Sequence, residues 1–186
     1  WYVRPDGHRI GIVRSDLRLA ASVTDDWVGE ATAPNTFVEI TVSDGGPLHA
    51  IKGTASGWSD DEGNFGFQPV LDNVVADILP GDLVQVTAEG RSASVAIPEP
   101  FAAEYDYLAN TMSGQAPPSS TLQVWIDNYP SFWIEVPQSG EWSIDYTPYG
   151  DPQIWDTGHV YYYNEESQVA RLECRIPWPD LSVGKW

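Results

Sequence analysis

The segment Val28-Gly29-Glu30-Ala31-Thr32-Ala33-Pro34-Asn35-Thr36 has a counterpart further along the chain, Ser113-Gly114-Gln115-Ala116-Pro117-Pro118-Ser119-Ser120-Thr121, with one residue of slippage near the prolines. Behind it the alternating residues Val38, Ile40 and Val42 match Leu122, Val124 and Ile126. Recurrence of this kind marks a repeated structural unit. Further on, Gly63-Asn64-Phe65-Gly66-Phe67 corresponds to Gly140-Glu141-Trp142-Ser143-Ile144, and Pro80-Gly81-Asp82-Leu83-Val84 to Thr157-Gly158-His159-Val160-Tyr161. Each copy closes on the same punctuation, Ile97-Pro98-Glu99-Pro100 and Ile176-Pro177-Trp178-Pro179. Prolines there stiffen a junction and cannot donate to a sheet ladder, so both read as linkers.

Apolar or alternating runs recur at intervals of about ten residues between Gly, Pro, Asn and Asp turns, and no stretch holds a 3.6-residue period for three turns. The chain is therefore expected to be all-β. In the first copy the expected strands are 17–24, 27–32, 36–43, 48–56, 64–70, 82–89 and 92–97. Seven strands in about 80 residues is the density of a two-sheet sandwich. Ser43-Asp44-Gly45-Gly46, Asp61-Glu62-Gly63-Asn64, Leu79-Pro80-Gly81-Asp82 and Glu89-Gly90 supply the positive-φ or fixed-φ positions that hairpins need. Val38, Ile40, Phe65, Phe67, Val84 and Val86 are the candidate core of the first copy. Trp142, in the place of Phe65, belongs to the core of the second.

The order V-x-G-x-A-x-P-N-T-x-V-x-I, then D-x-x-G-N-F-x-F, then I-x-P-G-D-x-V-x-V resembles the immunoglobulin-like repeats of large bacterial surface and secreted proteins. It is also similar to collagen-adhesin B-type and carboxypeptidase-regulatory-like sandwiches. The likeness covers residues 17–176 and rests on turn and core positions, which specify fold better than ligand. It implies tandem immunoglobulin-like β-sandwich modules of about 80 residues, acting extracellularly or at a cell surface as stalks, spacers, adhesins or filament units. Some such repeats carry a Lys-to-Asn crosslink between first and last strands. The lysines here, Lys52 and Lys185, are not in a first strand, so no crosslink is expected.

Residues 15–98 then form the first module and 99–177 the second. Val3-Arg4-Pro5-Asp6-Gly7-His8-Arg9-Ile10-Gly11-Ile12 resembles the end of the first module, so residues 1–14 read as the terminal hairpin of a preceding or neighbouring-subunit module. Residues 178–186 read as the start of a following module or a linker, since Asp180-Leu181-Ser182-Val183 resembles Asp16-Leu17-Arg18-Leu19. A start at Trp1 rather than Met suits a processed product or a piece of something longer.

Charge narrows the partners. Nine Lys and Arg stand against 27 Asp and Glu, a net charge of −18, and such a surface repels phosphate backbones and anionic lipid heads. Nucleic-acid binding and membrane insertion are not expected. Residues 1–18 run the other way, with Arg4, Arg9, Arg14 and Arg18 against Asp6 and Asp16. Val3, Arg4, Arg9, Ile10, Ile12 and Arg14 are therefore the candidate intersubunit hairpin, drawn to the acidic body of a copy of itself or of an adjacent module.

No nucleophile, base and orienting group come together in the sequence, and no carboxylate pair marks a cleft, so an enzyme is not expected. His8, His49 and His159 lack metal-type spacing and read as exposed or turn histidines. No cofactor is expected. Asp25-Asp26 and Asp60-Asp61-Glu62 could gather oxygen ligands for Ca²⁺, but the spacing of a dedicated calcium loop is missing and solvated turns are preferred. Cys174, the single cysteine, reads as a packed strand residue. No N-x-S/T sequon occurs. Alternation turns Trp125 outward, near Tyr129 and Trp133 across the next hairpin. These three are the candidate interface or ligand patch, read as a protein contact ahead of a glycan platform, with edge packing the third option. A carbohydrate-binding module pair within a larger secreted enzyme or adhesin is the alternative function.

Overall fold

Apart from one 3₁₀ turn at Thr147–Tyr149, every regular element among the described residues is a strand. The computed structural model describes residues 2–3, 9–10 and 17–176. Strands β1 (Tyr2–Val3) and β2 (Arg9–Ile10) pair antiparallel as a separate hairpin. Arg4, Ile12 and Arg14 of the candidate intersubunit hairpin lie outside the described residues, as does the linker at 177–179.

The first strand set comprises β3 (Arg18–Ser22), β4 (Trp27–Ala31), β5 (Phe37–Ser43), β6 (Ile51–Trp58), β7 (Asn64–Phe67), β8 (Val70–Leu71), β9 (Val74–Val75), β10 (Leu83–Ala88) and β11 (Arg91–Ala96). The second comprises β12 (Ala102–Asp106), β13 (Thr111–Gln115), β14 (Thr121–Ile126), β15 (Phe132–Glu135), β16 (Glu141–Asp145), β17 (Thr157–Tyr163) and β18 (Val169–Arg175). In the first set β3, β4 and β7 pair in that order, and so do β11, β10, β5 and β6. The second repeats both ladders, as β12-β13-β16 and β18-β17-β14-β15.

Alternation places the core as expected. Val38, Ile40 and Val42 on β5 and Leu122, Val124 and Ile126 on β14 are all buried, as are Phe65 and Trp142. Leaving such side chains in water would forfeit about 1.5–3 kcal/mol each, and this fixes which face of each strand points inward. The β10–β11 turn is Glu89-Gly90, both at positive φ, which matches a twisted two-residue hairpin.

Three local expectations need correction. The strand expected at 48–56 runs from Ile51 to Trp58, because the Asp44 carboxylate accepts the Ala50 N–H and holds 44–50 as a turn. A small hairpin, β8–β9, turns through Asp72 and Asn73, both at positive φ, and extends the sheet beyond β6. The match of Pro80–Val84 to Thr157–Tyr161 slips by register. Val84 faces Val42, while the residue facing the equivalent Ile126 is Gly158, not Tyr161. The missing side chain at Gly158 is made good by neighbours, since a Cβ there would strike Met112 and Cys174.

The two sets are joined. β18 pairs in parallel with β3, so strands from both sides of Pro98 form one seven-stranded sheet, β15-β14-β17-β18-β3-β4-β7. One buried cluster runs through both, and Ile97, Pro98 and Phe101 of the connecting segment are buried in the structure rather than forming an open tether.

Candidate functional site

The joint is built from short strand pairing plus specific clamps. Val169, Ala170 and Arg171 face Ala20, Ala21 and Ser22. Ala21 and Ala170 are fully buried, and their small side chains let the two edges meet. Beyond the ladder, the Val23 N–H donates to the Arg171 carbonyl at 2.9 Å. The Thr24 hydroxyl accepts from the Glu173 N–H at 2.8 Å and donates to its carbonyl at 3.0 Å. The turn Asn164 to Gln168 reaches back to the first set. Gln168 Oε1 accepts the Leu19 N–H at 2.6 Å, and Asn164 Nδ2 donates to the Ser94 carbonyl at 3.0 Å.

Arg171 closes the joint on its outer side. Its guanidinium lies 4.9 Å from the Trp27 ring centroid and 3.6 Å from the Asp25 carboxylate. Trp27 lies across two glycines, for a Cβ on Gly29 or Gly66 would enter the indole. A cation over an aromatic face contributes about 0.5–2 kcal/mol, and a part-exposed ion pair about 0–1. Arg171→Ala is therefore expected to lower the denaturant midpoint by the equivalent of about 1–2 kcal/mol. Arg171→Lys should recover only part of that, because an ammonium lacks the planar face that stacks on indole. Urea melts of the three proteins decide it, and an Arg171→Ala midpoint equal to the parent's would reject the clamp.

The outer face of the seven-stranded sheet carries the aromatic residues singled out from the sequence, though not as one patch. Trp125 stacks on His159 at 4.8 Å between centroids and meets Tyr161 edge-on at 4.6 Å. Trp133 lies 5.5 Å from Tyr163 and is 62% exposed. Tyr161 and Tyr163 link the two pairs. Tyr129 does not join them. It packs edge-on against the buried Tyr146, since the turn after β14 directs it to the end of the sandwich. Much of the Trp125 and Trp27 ring surface is thus spent on protein neighbours, leaving Trp133 as the strongly exposed ring of this face among the described residues.

His159 is not an exposed turn residue. It sits on β17 with Nε2 3.0 Å from Asp127 and Nδ1 3.6 Å from Glu173, beneath Trp125. Sequence spacing gave no sign of this, because its partners come from a loop and from β18. His49 lies in the exposed 44–50 turn, and His8 is outside the described residues. The acidic clusters are engaged locally. Asp60 accepts the backbone and side-chain N–H groups of Asn64 and, more weakly, the Glu62 N–H, which hold its carboxyl below the usual range, and Asp26 accepts the Ile78 N–H. Among the described residues no group of three or more His, Cys, Asp or Glu is arranged to hold a metal ion. Lys52 pairs with Asp82 at 2.5 Å. No helix among the described residues is long and apolar enough to cross a membrane.

Burial raises several weak acids. Tyr105 is pushed up to about 12 by burial first and by nearby Tyr129 and Asp151 second, Cys174 to about 11, and Tyr146 and Tyr163 move the same way. A group whose folded-state pKa exceeds its unfolded value binds more protons when folded. Its contribution is full below the ordinary value, 9.0 for Cys174 and 10.0 for the tyrosines, and is lost as pH rises through the folded value. Thermal melts should therefore fall steadily from pH 9 to pH 12. A flat profile across that window would contradict the burial of these groups.

No protein-family model and no curated protein matches this sequence. Solved structures with a likeness to it include the BSP domain of a biofilm-associated protein, at 10% identity and TM-score 0.35, covering 90% of this chain and 30% of that one. A tetra-tandem repeat from the extending region of a large adhesion protein has 18% identity and TM-score 0.30, covering 84% and 47%. A structure bearing on host cell surface retention of a 1.5-MDa bacterial ice-binding adhesin has 11% identity and TM-score 0.26, covering 84% and 62%. This chain thus spans less than two thirds of each.

Proposed function

We propose that this chain is a non-enzymatic, extracellular or cell-surface structural segment of tandem immunoglobulin-like modules, which holds its neighbours through lateral strand contacts as a stiff spacer or adhesive stalk. The parallel β18–β3 joint carries the reading. Two strand sets with one pairing scheme meet through backbone bonds, a buried connecting segment and the Arg171 clamp, which favours a fixed angle over a flexible hinge. Units of this kind that touch only their neighbours extend as quasi-linear arrays. The same logic covers assembly in trans, where the hairpin of residues 1–14 of one copy adds to an open edge of the next. A heterologous contact that does not close propagates as a filament.

Small-angle scattering on the purified chain, with sedimentation over a wide concentration range, tests the proposal. A rigid, elongated two-unit particle is the expected monomer, with larger species at high concentration if the hairpin acts in trans. Scattering typical of two units moving independently would remove the spacer reading, and strict monomers at every concentration would remove the filament.

A further inference from the structure

On β5 the side chains opposite the buried Val38 and Ile40 point to solvent, and two of them, Phe37 and Glu39, border a cleft of about 450 Å³ at one end of the first set. Trp58, at the end of β6, faces Phe37, and the two rings meet edge-on at 5.4 Å between centroids. Both stay in water, Phe37 at 44% exposure and Trp58 at 68%. The Thr87 hydroxyl donates to the Glu39 carboxylate at 3.5 Å, and Glu89, in the β10–β11 turn, brings a second carboxylate to the same cleft.

The sandwich does not ask for these side chains. Val38 corresponds to Leu122, so the places of Phe37 and Trp58 are held in the second set by another facing pair, Thr121 and Glu135, and that of Glu39 by Gln123. Two large rings left in water where a threonine and a glutamate serve equally well mark a contact surface. Among the described residues every ion pair lies elsewhere, so neither Glu39 nor Glu89 is spent on a cation of this chain. Arg91 follows the turn directly, but it faces the buried Ala88, and alternation turns it away from Thr87 and Glu39. Rings and carboxylates together select a positive charge, because the face of an aromatic ring is electron-rich and each carboxylate attracts the same ion.

We propose that the Phe37–Trp58 cleft is a docking site for an arginine side chain presented by a partner protein, its guanidinium against the Trp58 ring and hydrogen-bonded to Glu39 and Glu89. The chain already uses this chemistry once, where Arg171 of one strand set lies over Trp27 and beside Asp25 of the other. The cleft presents the same two groups, indole and carboxylate, to solvent. A guanidinium suits it better than an ammonium, since it is planar, stacks on an indole and keeps its N–H groups in plane for carboxylates. A net charge of −18 also draws a basic partner from a distance. The cleft belongs to the first set alone and lies on a different sheet from the β18–β3 joint, so the site goes beyond the spacer reading and does not depend on it.

Heteronuclear NMR titration of the full chain with N-acetyl-arginine N-methylamide tests it. The expected result is a saturable shift of the Trp58 Nε1–H and of the Glu89 and Gly90 amides, half-complete at roughly 1–10 mM, as one cation–π contact and part-exposed ion pairs allow. The lysine analogue should bind about threefold more weakly or worse. The citrulline analogue, of the same shape without the charge, should give no saturable shift. Glu39→Gln, which copies the second set at this place, should weaken the arginine probe about two- to fivefold. Trp58→Ser should abolish the shift at Gly90. Both positions are exposed, so the spectra of the variants stay those of folded chains. Absence of a saturable shift at Trp58 in the parent overturns the proposal, as does an equal response to citrulline or to lysine, or a response that either substitution leaves unchanged. Shifts of Trp58 that grow with the concentration of the parent alone also overturn it, because a second copy would then be the occupant.

Discussion

Ala170→Asp is expected to cost about 3–5 kcal/mol and to part the two strand sets, because it places an unpaired charge where β18 meets β3. Ala170 is fully buried and lies opposite Ala21 across the parallel pairing. The sandwich by itself does not forbid a charge at this site. The equivalent position on β11, found through the facing pairs Tyr162 with Ala170 and Ala88 with Arg91, is an exposed arginine. The penalty at Ala170 therefore belongs to the joint. Denaturant melts measure the loss, and scattering shows whether the particle lengthens or loosens. A variant with the parent's midpoint and the parent's dimensions would show that the pairing contributes nothing to holding the sets together.

Trp142→Ala should lose about 3–5 kcal/mol, the range for deleting a large buried aromatic. Trp142 is 5% exposed and fits against Gly114, where any Cβ would strike its six-membered ring. Trp142→Phe should cost much less, under about 2 kcal/mol. Phe65 fills the matching place between β4 and β7, and the Trp142 Nε1–H is buried with no hydrogen-bond partner, so phenylalanine gives up no bond. Equal losses for alanine and phenylalanine would mean that the indole nitrogen, not the ring volume, matters at this site.

The strands whose apolar residues alternate strictly were legible in the sequence. Val38, Ile40 and Val42, and their partners Leu122, Val124 and Ile126, point inward because any other register would expose three large side chains on each strand. Phe65 and Trp142 were legible for the same reason. The register of β17 was not. Gly158 offers no side chain to read, and Tyr161, Tyr162 and Tyr163 are equally aromatic on both faces, so the pattern could slide until Met112 and Cys174 were known to fill the gap. Of the aromatic patch, Trp125 and Trp133 fall on the outer sheet face as alternation demands, while Tyr129 sits in a turn, where period-two reasoning has no hold. The joint was invisible because an edge strand carries no mark of its partner. Ala20 and Ala21 look like ordinary strand residues until β18 is beside them.

The clamps between Leu19 and Gln168, and between Thr24 and Glu173, each span 149 residues. A ribosome adding about 5–20 residues per second makes β3 roughly seven to thirty seconds before it makes β18. Through that interval the outer rim of β3 lacks the strand that completes it and is open to the wrong one, the hazard any unpaired rim presents to a nascent polypeptide. Completion of that sheet thus waits on the strand made after all its others, and a delay or truncation upstream of Val169 would leave every earlier strand made but the larger sheet without its middle.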